Sequence, residues 1–253
     1  MRLNANMTYK GQNMDTGLII DLETTGIDPE TDKIIELGLI EFRISEDVPV
    51  PAITNMYGAV EDPKQALSEE IKKITGLDDY MLQGQKIDWV YVRAAIQRSS
   101  IIIAHNADFD RSFLEKRAEL AGLEDAHWAC SMKHIDWAKH GFKTRALNYL
   151  AADHGFVNSF AHRALFDCAT TFRLMSPYFA ELVRKSFMKE YRVFATAAPF
   201  ESKDKLKARA YRWDGAKRVW YKTVLEDMIE SERVFLAEEV YPDADLHEEL
   251  ILS

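Results

Sequence analysis

Cysteine is scarce in this chain of 253 residues, which contains only Cys130 and Cys168. Two cysteines cannot form the disulfide framework on which small secreted domains depend. We therefore expect a reducing compartment and predict a cytoplasmic location. Both thiols are interpreted as buried structural residues.

Long hydrophobic runs are missing as well. No apolar stretch reaches the roughly 18 residues that a membrane span needs. The polar opening, MRLNANMTYKGQNMD, lacks the apolar core of a signal peptide. We therefore expect no membrane partner, and we interpret residues 1–14 as an N-terminal tail that is disordered or weakly held.

Positive charge is in short supply overall, since the net charge is −9 and the pI about 5.3. That balance argues mildly against a nucleic-acid partner, because phosphate binding relies on Lys and Arg. The average conceals a local excess, however. Residues 202–222 hold eight Lys/Arg and two Asp, a net charge of +6, which leaves −15 for the rest of the chain.

A hydrophobic content of 47% is enough for one large core, or for a main domain and a small one. Dense apolar runs between turn residues predict buried strands at TGLIIDLE, KIIELGLIEFRI, ITNMYGAV and SIIIAHN. Spacing and end signals predict helices at SEEIKKITG, WVYVRAAIQR, DFDRSFLEKRAELAG, ALNYLAADHG and HRALFDCATTFRLMS. This order predicts an α/β domain with a mixed sheet flanked by helices over residues 15–184.

A break near residues 185–200 is followed by a different pattern. YRVFATAAPF predicts a strand and SKDKLKARA a short helix. Asp214-Gly215 between two aromatic segments indicates a hairpin, and LEDMIESERVFLAEEVY has the apolar spacing of an amphipathic helix. We predict a small basic α+β accessory domain over residues 190–245.

Two acids lie at the end of the first predicted strand, with one residue between them. Asp21 and Glu23 should project to the same side where the strand leaves the core. Adjacent carboxylates raise each other's pKa unless a cation neutralises them, and a hard divalent cation prefers oxygen ligands. Taken alone, the pair is more typical of solvated acids at a strand end than of a metal site.

Two further segments carry candidate groups. After the strand SIIIAHN come Asp108 and Asp110, for which helix capping is as reasonable an interpretation as metal ligation. In AHRALFD, His162 should lie on a loop, solvated and able to titrate, while Asp167 falls in the first turns of a helix.

Together these segments resemble a known family. DLETTG, AHNADFD and HRALFD, in this order and spacing, are similar to the three motifs of the DnaQ-like (DEDDh) 3′–5′ exonucleases. The resemblance covers about residues 15–176 and implies an RNase H-like fold. It also includes EEIKKITGLDDYML, similar to a substrate-side segment of the family, and TRALNYLAADHGF, similar to the helix before the third motif.

The resemblance implies a role for each matching residue. Asp21, Glu23, Asp110 and Asp167 match the four metal-binding acids, and His162 matches the general base. Asp108 matches a variable position and is left out. Thr24, Thr75 and Phe109 fall where the family contacts the terminal nucleotide. The implied cofactor is Mg²⁺, two ions per site, with Mn²⁺ able to substitute.

The basic segment mixes cations with aromatic residues. We take Lys205, Arg212, Lys217 and Arg218 as candidate nucleic-acid contacts, because the positive charge is concentrated against an acidic background. Tyr211, Trp213, Trp220 and Tyr221 could stack on bases, but we favour their packing beneath the final helix as core.

The sequence thus predicts a metal-dependent 3′–5′ exonuclease that acts on nucleic acid with a free 3′ end, with single-stranded DNA favoured and a role in DNA repair expected. Two alternatives stay open: an exoribonuclease that trims RNA 3′ ends, and a mainly scaffolding or proofreading subunit of a polymerase or repair complex. Many members of the family are dimers, so the resemblance also suggests a homodimer.

Overall fold

The computed structural model describes residues 8–9, 12–13, 16–44 and 51–241. The chain divides into two compact units, Met1–Ser186 (unit 1) and Phe187–Ser253 (unit 2). Most of the predicted tail, and residues 242–245 of the predicted accessory domain, lie outside the described residues. Within the tail, the two-residue strands β1 (Thr8–Tyr9) and β2 (Gln12–Asn13) pair antiparallel.

The centre of unit 1 is a mixed sheet of five strands in the order β5-β4-β3-β6-β7. Its strands are β3 (Thr16–Thr24), β4 (Ile34–Arg43), β5 (Ala52–Val60), β6 (Ile101–Ala104) and β7 (Trp128–Cys130). The first three are antiparallel neighbours, and β6 and β7 run parallel to β3. β3 is therefore central, with a hydrogen-bonded partner on each side.

Seven α-helices surround this sheet within the described part of unit 1. They are α1 (Glu69–Thr75), α2 (Asp79–Leu82), α3 (Trp89–Gln97), α4 (Ala107–Leu114), α5 (Leu147–Asp153), α6 (Ala164–Met175) and α7 (Phe179–Ser186). The end signals of α1 act as expected, because the Ser68 side chain accepts the Ile71 N–H and Gly76 adopts a left-handed conformation with φ of 69°.

The predicted helix over residues 108–122 is wrong in its second half. α4 ends at Leu114, and a separate 3₁₀ turn covers Ala118–Leu120. Arg117 between them is extended, and its guanidinium group pairs with Glu61 at 2.9 Å and lies 4.2 Å from the ring centroid of Trp89. These tertiary contacts hold the chain out of helical geometry at a residue whose helix propensity is good.

Side chains alternate between the two faces of β3. Leu18, Ile20 and Leu22 are buried in a core that also contains Trp89 and Val92 of α3 and Phe113 of α4. Ile19, Asp21 and Glu23 point to the opposite face. On that side, α6 packs against β3 and β4. The alternation therefore places the two acids towards α6.

Unit 2 is built on a three-stranded antiparallel sheet in the order β8-β10-β9. Its elements are β8 (Glu190–Ala195), α8 (Lys203–Ala208), β9 (Arg212–Asp214), β10 (Val219–Leu225) and α9 (Ile229–Phe235), which continues as a π-helical segment (Leu236–Val240). Asp214 closes the predicted hairpin by accepting the N–H groups of Ala216 and Lys217. The predicted fold class, a mixed sheet flanked by helices plus a small α+β unit, is confirmed.

No helix in the described ranges combines the length and apolar character required to cross a bilayer.

Candidate active site

The end of β3 carries two acids on one face. Asp21 and Glu23 are both half-buried and point towards α6. Burial raises the pKa of Asp21 well above its ordinary value, and the carboxylates of Asp110, Asp167, Glu23 and Glu36 raise it further. Burial also raises the pKa of Glu23 to about 8, with Asp167 and Glu36 adding to the shift.

The third acid comes from α4. Asp110 is only 2% exposed, and its carboxylate accepts the N–H of Leu22 at 3.0 Å. This hydrogen bond joins α4 to β3 at the residue that separates Asp21 from Glu23. Burial raises the pKa of Asp110 well above its ordinary value. Asp108, two residues earlier, instead has a side chain that is 74% exposed and pairs with Lys133 at 2.6 Å.

The fourth acid and the histidine come from the start of α6. Asp167 is buried and accepts the backbone N–H of His162 at 2.8 Å and the side-chain amide of Asn158 at 2.6 Å. His162 lies on the loop before the helix, is exposed, and has a φ of 62°. This left-handed conformation is unfavourable for a residue with a Cβ. The hydrogen bond from the His162 N–H to the Asp167 carboxylate stabilises this backbone conformation.

The geometry brings these groups together. Within the described residues, Glu23, His162 and Asp167 form a group whose candidate ligand atoms all lie within 4.8 Å of one another. The carboxylates of Asp110, Asp167 and Glu23 raise the pKa of Asp21, and that of Glu23 raises the pKa of Asp110, as expected for charges that lie close together. Four carboxylates with raised pKa values form the oxygen-rich donor set that suits a hard divalent cation.

Two residues of β4, Glu36 and Gly38, position α6, and neither was among the residues predicted for the site. Glu36, paired with Glu23 across the strands, is 5% exposed and binds the Arg163 guanidinium group at 3.1 Å. Its carboxylate also accepts the Ala164 N–H at 3.3 Å. In the sequence, an acidic residue inside the apolar run KIIELGLIEF is the signal that could have identified Glu36.

Gly38 is the second of these residues. It lies opposite Asp21 in the β3–β4 register, and a Cβ at this position would lie 2.3 Å from the Ala164 carbonyl carbon. Only a residue without a side chain allows the start of α6 to approach the sheet this closely. A glycine inside a strand pattern is a signal for such an approach.

The three residues predicted to contact the terminal nucleotide differ in their burial. The Thr24 hydroxyl donates to the Gly26 carbonyl, and the Thr75 hydroxyl donates to the Ile71 carbonyl at 2.9 Å. Both threonines are buried. Phe109 is half-buried beside Phe113, with 5.0 Å between ring centroids. Both threonine hydroxyls thus take part in local backbone contacts.

The remaining predicted contacts belong to unit 2. Lys205 pairs with the Glu239 carboxylate at 2.9 Å and donates to the Glu239 carbonyl at 3.0 Å. Arg212, Lys217 and Arg218 are exposed. Lys205 is thus partly neutralised within its own unit, whereas no carboxylate in the described ranges forms an ion pair with the other three.

Comparison with known proteins identifies the family to which the sequence is similar. The profile of the exonuclease family RNase_T matches residues 18–175. The chain is 29% identical over 178 residues to the PolC-type DNA polymerase III of Staphylococcus saprophyticus, a match that covers 65% of this chain. It corresponds to only 12% of that polymerase, so this chain spans a small part of the length of such relatives.

Solved structures share the fold of the chain. A 3′-exonuclease studied for 3′-end-specific recognition of a histone mRNA stem-loop has a TM-score of 0.53 at 17% identity, covering 72% of this chain and 68% of that one. The nuclease domain of 3′hExo, a DEDDh family member bound to rAMP, has a TM-score of 0.53 at 16% identity, covering 66% and 93%. The family profile spans more than half of the chain and includes all three predicted motifs, and on this basis the chain belongs to the exonuclease family.

Proposed function

We propose that unit 1 hydrolyses nucleic acid stepwise from its 3′ end in a reaction that depends on divalent metal ions. The observation that carries the proposal is the convergence of four carboxylates from β3, α4 and α6 on one another and on His162, with raised pKa values. Such a cluster is unfavourable without cations, so its natural use is to bind them.

The proposed ligands are Asp21, Glu23, Asp110 and Asp167, holding two Mg²⁺ ions for which Mn²⁺ should substitute. When bound, the ions offset the negative charge of the phosphodiester and stabilise both the attacking and the leaving oxygen. His162 accepts the proton of the attacking water, a task that suits an imidazole on an exposed loop. Asp167 fixes the position of that loop through the His162 N–H.

The terminal nucleotide is proposed to contact Thr24, Phe109 and Thr75. Phe109 lies on α4 beside Asp110, so a base that packs on its ring would lie close to the acids. With both threonine hydroxyls engaged locally, their contribution is expected to come from the backbone or from packing.

DNA is the proposed substrate, and single-stranded DNA in particular. Support comes from the name of the sequence relative, a DNA polymerase III of PolC type. RNA trimming is the alternative, because one structural neighbour was studied with an mRNA stem-loop and another is bound to rAMP. A scaffolding role is disfavoured since all five predicted catalytic positions are present. A cytoplasmic location, a homodimeric state and a role in DNA repair stay predictions.

The direct test uses 5′-end-labelled single-stranded DNA, duplex DNA and RNA of one sequence, each incubated with the protein and Mg²⁺. We expect a ladder of 5′-labelled products that shortens progressively from the 3′ end, fastest on single-stranded DNA, and no products in excess chelator. Release of the labelled 5′ nucleotide as the first product would contradict the proposed polarity. Faster degradation of RNA would favour the alternative substrate.

A further inference from the structure

The sheet of unit 2 has two faces of different character. On one face, Val193 and Ala195 of β8 are at most 1% exposed and pack with Leu206 of α8 and Leu236. Trp220 lies opposite Ala195 in the register of β8 and β10, so it also belongs to this face. The helices of unit 2 therefore cover this face as a hydrophobic core.

The other face carries two aromatic rings outside that core. Tyr221 lies opposite Phe194 of β8 on one side and opposite Arg212 of β9 on the other. The two rings lie 6.4 Å apart between centroids, and both side chains are half-buried. Neither belongs to the core of unit 2. Tyr221 and Phe194 thus form a small aromatic surface on the sheet.

Cations surround these rings. The Arg192 guanidinium carbon lies 5.1 Å from the Tyr221 ring centroid, and the Lys217 ammonium lies 5.7 Å from that of Phe194. Arg192 and Arg212 are exposed and lie on the same face by strand alternation. In the part of the chain that the structure describes, Arg192, Arg212 and Lys217 form no ion pair with a carboxylate.

Two acidic residues of the described strands share this face, and both lie towards its ends. Asp214 shares the face, but its carboxylate accepts the N–H groups of Ala216 and Lys217 in the hairpin turn. Glu190 lies at the far end of β8, opposite Leu225. The rings and the three cations therefore present a positively charged aromatic patch.

We propose that this patch, formed by Arg192, Phe194, Arg212, Lys217 and Tyr221, binds single-stranded nucleic acid. Aromatic rings on an open sheet face can stack on unpaired bases while neighbouring cations neutralise phosphates. The base faces of a duplex are stacked on one another, so the phosphates of a duplex could contact the cations but its bases could not stack on the rings. Binding at the patch needs no metal ion, so it can be measured without hydrolysis.

The structure divides the aromatic residues of the basic segment between the core and the patch. Tyr211 is 3% exposed and belongs to the core, as predicted from the sequence, whereas Tyr221 lies outside the core. Lys205 of α8 pairs with Glu239. Arg192 and Phe194 lie outside the basic segment, yet strand pairing brings them beside Tyr221. The patch therefore combines residues that are distant in the sequence.

The test measures binding of fluorescein-labelled oligothymidylate to the full chain by fluorescence anisotropy, in chelator so that no hydrolysis occurs. Arg212→Ala should reduce the slope of log affinity against log salt concentration by about 1, as expected for one lost phosphate contact. Tyr221→Leu keeps an apolar side chain but removes the ring, and should weaken binding on the order of tenfold.

The matched control is Lys207→Ala, which removes the same charge as Arg212→Ala from an exposed position on α8. This helix packs on the core face of the sheet, which contains Val193 and Ala195. The Lys207→Ala variant should bind as the unchanged protein does. Equal salt slopes for Arg212→Ala and Lys207→Ala would overturn the proposal, as would equal competition by duplex DNA. Arg212 is exposed, so its variant is informative even if Tyr221→Leu unfolds. Since the assay contains no metal, its outcome is independent of the hydrolysis proposed for unit 1.

Discussion

Asp108 and Asp110 show how two aspartates in the same turn of a helix can have different surroundings. Residues two apart on a helix point to different sides, so Asp110 is buried against Leu22 while Asp108 extends into solvent towards Lys133. Burial raises the pKa of Asp110. The two residues therefore form a matched pair for testing the site, since the same substitution can be made in the same turn of α4.

The left-handed backbone of His162 gives a prediction about stability. Both His162→Ala and His162→Gly lose the imidazole and should lose most hydrolysis. Because φ is 62° at this position, glycine adopts the conformation without strain, whereas alanine does not. We expect the glycine variant to be more stable than the alanine variant by about 1 kcal/mol in urea unfolding. Equal stabilities would show that the backbone at His162 is not strained.

At the scale of elements, the contact between β4 and α6 depends on Gly38. A Cβ there would lie 2.3 Å from the backbone of Ala164, so Gly38→Ala should destabilise the protein by about 1–3 kcal/mol and reduce hydrolysis by displacing α6. Gly58 is its partner on β5 and supplies the control. The atoms nearest to a Cβ at Gly58 belong to the side chain of Leu165, the closest at 3.3 Å.

Gly58→Ala should therefore change the free energy of unfolding by less than about 1 kcal/mol. Denaturant unfolding of both variants, with hydrolysis measured in parallel, checks the pair. A Gly38→Ala protein as stable and active as Gly58→Ala would contradict the close approach of α6 to β4.

An ion pair between β4 and the end of α3 gives a prediction about pH. Glu41 binds Arg98 through contacts of 2.5 and 2.6 Å and accepts a hydrogen bond from Tyr91, which lowers the pKa of Glu41 from its ordinary 4.5 to about 2. Because the folded-state pKa is depressed, the stabilisation is complete above pH 4.5 and is lost as the pH falls towards 2.

Glu41→Gln should therefore reduce stability at pH 7 by about 1–2 kcal/mol, a range that allows for solvent screening at the partly exposed Arg98. It should also make the loss of stability between about pH 5 and pH 3 less steep. Urea unfolding at several pH values measures both effects. The same slope in the variant and the unchanged protein would exclude Glu41 as a source of acid sensitivity.

The elements that could be predicted from the sequence are those with a local signal. The apolar run of β3, the Ser68 and Gly76 ends of α1, and the Asp-Gly turn each depend on neighbouring residues. The end of α4 does not, because Arg117 leaves the helix for contacts with residues distant in the sequence. Glu36 and Gly38 were missed for the same reason, since their role depends on α6 packing over β4.

At the scale of the whole molecule, each unit has a core of its own residues. The acids and His162 all lie in unit 1, so a chain that ends after Ser186 should keep its hydrolysis of short oligonucleotides. Ser186 must be retained because its hydroxyl contacts His127 at 2.9 Å. The shortened chain should bind single strands more weakly and with less salt dependence. Anisotropy titrations over a range of salt concentrations measure this, and unchanged binding would show that unit 2 adds no contact.

The acids and the histidine of the candidate site could be named from the sequence, and their roles stay predictions, whereas only some residues of the patch on unit 2 could be named. The acids and the histidine lie within three short motifs, each at the end of an element, where the family pattern is readable. The patch depends on which residues of β8 lie opposite β10, and strand register follows from tertiary pairing. A cluster of charge in the sequence indicated the unit but not its binding face.

The most direct measurement compares the rates at which Asp110→Asn, Asp108→Asn and the unchanged protein release nucleotides from 5′-labelled single-stranded DNA as Mg²⁺ is titrated. We predict that Asp110→Asn lowers the rate by about a hundredfold or more at every Mg²⁺ concentration, while Asp108→Asn leaves it unchanged. Equal rates for Asp110→Asn and Asp108→Asn would contradict the assignment of the buried carboxylates as the metal-binding, hydrolytic centre.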